Sequence, residues 1–211
     1  MKYGYEIVEA EFAAFKDFKV CWKRGYRTAS FQVSDYMTEA PSDVMECLAE
    51  SVFSKIVGFE KKPYTESMRS WVLSGEFIMN KQPMYLKRNR NITGDTVGLE
   101  KDLSDSLRRL KDLGLVEEDA DPVLRWSKEA LPRSVGYCSP VMNVIVISSY
   151  FDDCQIPDYI LDFVVLHEYL LMDEGRRCFG DDFDGSHLRQ ERKFVQHAEA
   201  QRWITRAGLY C

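Results

Sequence analysis

The sequence predicts an α+β fold, and three observations carry that prediction. Phe18, Val20 and Trp22 alternate with Lys19, Cys21 and Lys23, which is strand periodicity. Leu103, Leu107 and Leu110 recur at helical spacing, with Leu113 closing the same apolar face. From Asp162 to Asp173 the chain is almost wholly apolar apart from one histidine and one glutamate in its middle, and it reads as a buried core helix.

At 211 residues the chain fits one large domain or a core with an appendage. Its 45% apolar and 29% charged residues are those of an ordinary globular protein. A net charge of −6 disfavours a dedicated nucleic-acid binder. No run has the length of a membrane span, and the first residues lack the apolar core of a signal peptide. A cytoplasmic location with no membrane partner is the expectation. The six scattered cysteines form no Cys-x-x-Cys pair and read as reduced, mostly buried small hydrophobes.

In chain order, three short runs between Ile7 and Val33 predict a small antiparallel meander. Ala40-Pro41-Ser42-Asp43 is a helix start, followed by Val44, Leu48, Val52, Phe53 and Ile56 at helical spacing, with Gly58 as the stop. Thr65 to Met79 suits a helix interrupted at Gly75. Lys81 to Asn91 holds Pro83 and a cluster of positive charge, read as a solvated connection in preference to a polyanion contact. Leu103 to Leu113 forms an amphipathic helix that keeps Arg108, Arg109 and Lys111 largely outside and stops at Gly114.

The segment from that helix through Val123-Leu-Arg-Trp126 has the look of a recognition helix and wing. A winged helix needs a closely connected preceding helix, and a long loop stands there instead. Val135 to Cys138 and Val144 to Ser148 read as two strands, the second apolar on both faces and therefore central. Pro157 opens the apolar helix, Glu174-Gly175 ends it, and a last helix spans His187 to Arg206. The expected division is residues 1–90, strands and helices, and residues 91–211.

His167 and Glu168 sit side by side in the middle of the apolar helix, where an unpartnered charge is costly. They read as the start of His-Glu-x-x-His, in which histidines one turn apart share a zinc ion and the glutamate serves as base. Leu171 stands where the second histidine belongs. Asp173 faces away, and Glu174 lies two turns on, roughly 10 Å along the axis. Cys178, Glu191 and His197 remain open as substitutes, although His197 reads better as a packing residue.

Arg133-Ser-Val-Gly-Tyr137, Val144-Ile-Val-Ile-Ser148, the run from Pro157 to Glu168, and Glu191-Arg-Lys-Phe194 with Glu199, Ala200 and Trp203 together resemble the SprT-like and YgjP-like zinc metallopeptidases. Uncharacterised archaeal relatives are the nearer likeness. The resemblance covers Leu103 to the end well and the earlier segments more loosely. It implies a zincin-like core: a small twisted sheet, the metal-binding helix and a C-terminal helix, preceded by the N-terminal portion. It also implies Zn²⁺ held by His167 and His187, Glu168 as general base, and a protein or peptide substrate. With the motif reduced to His-Glu-x-x-Leu, the expectation is weak or absent peptidase activity. The alternative is a non-catalytic binding or interaction module on the same fold. A third reading, association with nucleic acid, rests on Lys87-Arg-Asn-Arg90 and is opposed by the acidic charge. Oligomeric state is left open.

Overall fold

The computed structural model describes residues 4–57, 64–179 and 183–211. These form a mixed α+β structure with seven α-helices and two three-stranded sheets. Among the described residues, those up to Arg88 together with Phe179 form a first compact unit, and Asn89–Cys178 with residues 183–211 form a second. No helix among them is long and apolar enough to cross a membrane.

In the first unit β1 (Ile7–Ala13), β2 (Val20–Arg24) and β3 (Thr28–Ser34) are ordered β1-β3-β2. β3 pairs antiparallel with β2 but parallel with β1, so the expected meander is corrected. The centre goes to the strand with most apolar surface to bury: Ala29, Phe31 and Val33 of β3 are buried, whereas β1 and β2 are largely exposed. α1 (Ser42–Val57) follows the predicted spacing, and Ile56 packs in one cluster with Ala29 and Phe31. The predicted stop at Gly58 lies outside the described residues.

The helix expected over Thr65–Met79 is two helices, α2 (Glu66–Val72) and α3 (Gly75–Arg88). Thr65 Oγ1 accepts from the Met68 N–H and caps α2, and Ser74 Oγ accepts from the Phe77 N–H and restarts the chain as α3. The Lys81–Asn91 connection is corrected too, because α3 runs through Pro83 to Arg88. Phe77, Lys81 and Tyr85 are its buried positions, spaced by four. Two of the cations there are neutralised within the unit: Lys81 pairs with Glu39 at 2.6 Å, and Arg88 grips Asp35 through two bonds of 2.6 and 2.7 Å. That grip holds the Asp35 carboxyl below its usual range.

In the second unit α4 (Leu103–Asp112) begins at Asp102, whose carboxylate accepts from the Ser104 N–H, and stops before Gly114 at φ +66°. Arg109 is not a solvated charge as expected; it forks onto the buried Asp162 carboxylate at 2.7–3.2 Å. β4 (Val123–Trp126), β5 (Gly136–Ser139) and β6 (Val144–Ile147) are ordered β4-β6-β5. All four β6 residues are buried, as a central strand requires. β4 runs parallel to β6 in this sheet and is no wing.

α5 (Asp158–Arg177) packs Ile160, Phe163 and Val164 with Ile145 and Ile147 of β6 in one core. It continues past the expected end at Gly175, where a Cβ would come within 2.6 Å of Pro140 Cγ. Gly175 therefore serves close approach, not termination. The last predicted helix is broken into α6 (Ser186–Glu191) and α7 (His197–Arg206). The intervening turn carries the buried Phe194 ring onto Phe163, with centroids 5.8 Å apart. All six cysteines are free, but only Cys47 is fully buried; Cys21, Cys154 and Cys211 are exposed. Cys21 lies on the thinly covered strand β2, which corrects the expectation of mostly buried thiols.

Candidate functional site

α5 and α6 meet through two crossed pairs. His167 of α5, 5% exposed, has Nδ1 2.5 Å from Oε1 of Glu191 on α6, which is 1% exposed. His187 of α6 has Nδ1 on Oε2 of Glu174, a fully buried residue of α5. Each helix thus contributes one histidine and one glutamate on one face, seven residues apart on α5 and four apart on α6. Both spacings return to the same side of a helix. The crossing sets the helices antiparallel, with the His167 and His187 rings 6.4 Å apart and steeply inclined at 74°.

Glu174 does more than hold His187. Its carboxylate also accepts from the backbone N–H groups of Gly185 (2.6 Å), Ser186 (3.2 Å) and His187 (3.2 Å), which open α6. Burial disfavours the charged carboxylate, but the His187 side-chain bond, with the His187 and Gly185 N–H groups, outweighs it and lowers the pKa of Glu174. Charge and hydrogen bonds explain how a carboxylate is kept in this position.

Glu168 lies on the other side of this arrangement, against β5. Gly136 leaves it room: a Cβ there would sit 3.0 Å from Glu168 Oε1 and 2.6 Å from the Val146 carbonyl oxygen. Two residues along the same strand face, the Cys138 thiol lies near enough to the Glu168 carboxyl for the two to influence each other. Burial pushes the pKa of Glu168 up to about 7, opposed by the charge of His167 and the thiol contact and reinforced by Glu191. Burial and the neighbouring Glu168 also raise that of the thiol.

A carboxyl whose folded pKa lies above its unfolded value stabilises fully below the unfolded value and loses that contribution as pH rises through the folded one. For Glu168 the window runs from the ordinary 4.5 to about 7 and is worth on the order of 3 kcal/mol. Relative to Glu168→Gln, the native protein should lose stability across that window and remain the less stable of the two above it. Parallel urea titrations of the two proteins at pH 4.5, 6 and 8 would check this. A difference that stays flat with pH would contradict the assignment.

Of the residues singled out in the sequence, His167 and His187 are brought together, whereas Glu168 is turned toward β5. Glu191, open as a substitute ligand, is instead the partner of His167. His197 stacks its edge on Phe163, with centroids 5.6 Å apart. Leu171, one turn after His167, is only partly buried. Sequence reasoning missed Glu174 and Cys138 as partners. The legible signals were the matching His…Glu spacings on α5 and α6 and the small residue at Gly136, two before Cys138.

The donor set does not fit a catalytic zinc, which needs three protein ligands and an open position. Among the described residues, neither histidine belongs to a group of three ligating atoms within 4.8 Å of one another; Glu174, Cys178 and Asp184 do. Glu174 in that group is already engaged by His187 and three backbone N–H groups. Compared with protein-family models, with curated proteins and with solved structures, the chain finds no match.

Proposed function

We propose that the second unit is a zincin-like scaffold of the SprT-like and YgjP-like kind whose peptidase site is disarmed. The protein it forms is inactive or only weakly active as a zinc peptidase. One observation carries the reading. Two histidines twenty positions apart in sequence lie ring to ring, each fixed at Nδ1 by a buried carboxylate, with Leu171 one turn after the first. A carboxylate on one ring nitrogen is how proteins orient a metal-binding imidazole and turn its other nitrogen outward. Carboxylates set behind two neighbouring imidazoles support the reading of a metal-site scaffold whose ligand set is short by one.

That shortfall favours a non-catalytic binding or interaction module over a working hydrolase. In this reading Glu168, buried against Gly136 of β5, is a residue of the protein interior and not a base for bound water.

Metal content separates the two. Protein purified without chelator should carry well under one zinc per chain by elemental analysis, and His167→Ala should leave that content unchanged. One zinc per chain, lost in His167→Ala, would overturn the disarmed reading in favour of an active metallopeptidase.

A further inference from the structure

We propose that the first unit carries a binding cleft for a small amphipathic carboxylate, built around Ser34, Lys19 and Lys55. The cleft has a volume of about 150 Å³, and its apolar lining includes Trp22, Met37, Leu48 and Val52. That is room for about five water-sized groups, the body of a short-chain acid.

Ser34 ends β3 and is 1% exposed, and it lines this cleft. Its hydroxyl has no hydrogen-bond partner among the described residues. A buried hydroxyl without a partner is costly, and native interiors satisfy nearly all such groups. Nor does Ser34 cap the turn that follows it at Asp35–Met37. A bound ligand would satisfy the atom.

The charge of that ligand follows from the walls. Lys19 and Lys55 both line the cleft and both are exposed. The Lys19 ammonium lies 4.9 Å from the Phe15 ring centroid and the Lys55 ammonium 5.6 Å from that of Tyr64. Neither has an ion pair among the described residues. Two uncompensated cations beside an apolar cleft attract an anion with an apolar body. A carboxylate supplies the charge, and an oxygen that accepts from Ser34 Oγ–H.

The test uses the full chain and hexanoate, with 1-hexanol as the neutral analogue, followed by the methyl resonances of Met37, Leu48 and Val52. Hexanoate should shift all three saturably. Binding should weaken about tenfold or more for 1-hexanol and for Lys19→Ala combined with Lys55→Ala, the scale of one lost charge-assisted bond. Ser34→Ala should weaken hexanoate about threefold, the scale of a neutral hydrogen bond. Both lysines are exposed and Ser34→Ala removes only an unpartnered hydroxyl, so the variants retain the fold. No saturable shift with hexanoate, equal binding of 1-hexanol, or unchanged binding by the lysine variant would overturn the proposal.

Discussion

Glu191→Ala is expected to destabilise the second unit by about 1–3 kcal/mol or more, the cost of leaving a buried hydrogen-bonding group without its partner. Glu191 and His167 are both nearly sealed from solvent, and the bond between them is 2.5 Å long. Truncation leaves His167 Nδ1 buried without its acceptor and opens a cavity beside it. α6 has six residues, far too few to hold together as a helix by itself, so its order depends on what anchors it. Glu174 holds its start and Glu191 its end. Losing the second anchor should therefore also free the turn that brings Phe194 to the core.

Replacing both members by leucine separates the mechanisms. His167→Leu with Glu191→Leu leaves no stranded polar group, and such replacements of buried pairs are often neutral or stabilising. Most of the loss should return in that double variant. Urea unfolding followed by far-ultraviolet circular dichroism would measure all three proteins. A Glu191→Ala loss below about 1 kcal/mol, the range of exposed ion pairs, would show that the pair does not anchor α6.

Where one segment's own residues decide its structure, the sequence was legible. Val144 to Ile147 is apolar on both faces, and a strand of that kind has only the centre of a sheet to occupy. Leu103, Leu107 and Leu110 mark one face of α4 whatever they pack against. Long-range choices were not legible. β1 finds β3 and passes over β2 because burial of Phe31 and Val33 decides the centre, which no pattern within β1 reveals. Gly175 carries a stop signal in sequence, yet its meaning comes from Pro140, thirty-five positions earlier. Pro83 likewise fails to break α3, where Lys81 and Arg88 find acidic partners in residues far back along the chain.

The same limit applies to the site. His167 and Glu168 stand out because charge inside an apolar run is costly, and that argument is local. The partner of each is not local. Glu191 reaches His167 from another helix, Cys138 reaches Glu168 from β5, and Glu174 serves His187 instead of the helix mate two turns before it. Helical geometry put Glu174 too far from His167 to share an ion. It said nothing of what a neighbouring helix would bring to that carboxylate.

If, as proposed, the second unit keeps a metal-site scaffold with one ligand missing, Leu171→His supplies that ligand. Residue 171 lies one turn after His167 on α5, on the face that meets α6. With that histidine supplied, zinc affinity measured by competition with a chromogenic chelator should rise by about 100-fold or more over the native protein, as a third protein ligand completes the set. The bound zinc should approach one per chain and disappear when His167→Ala is added. A folded Leu171→His protein that binds zinc no better than the native chain would contradict the account.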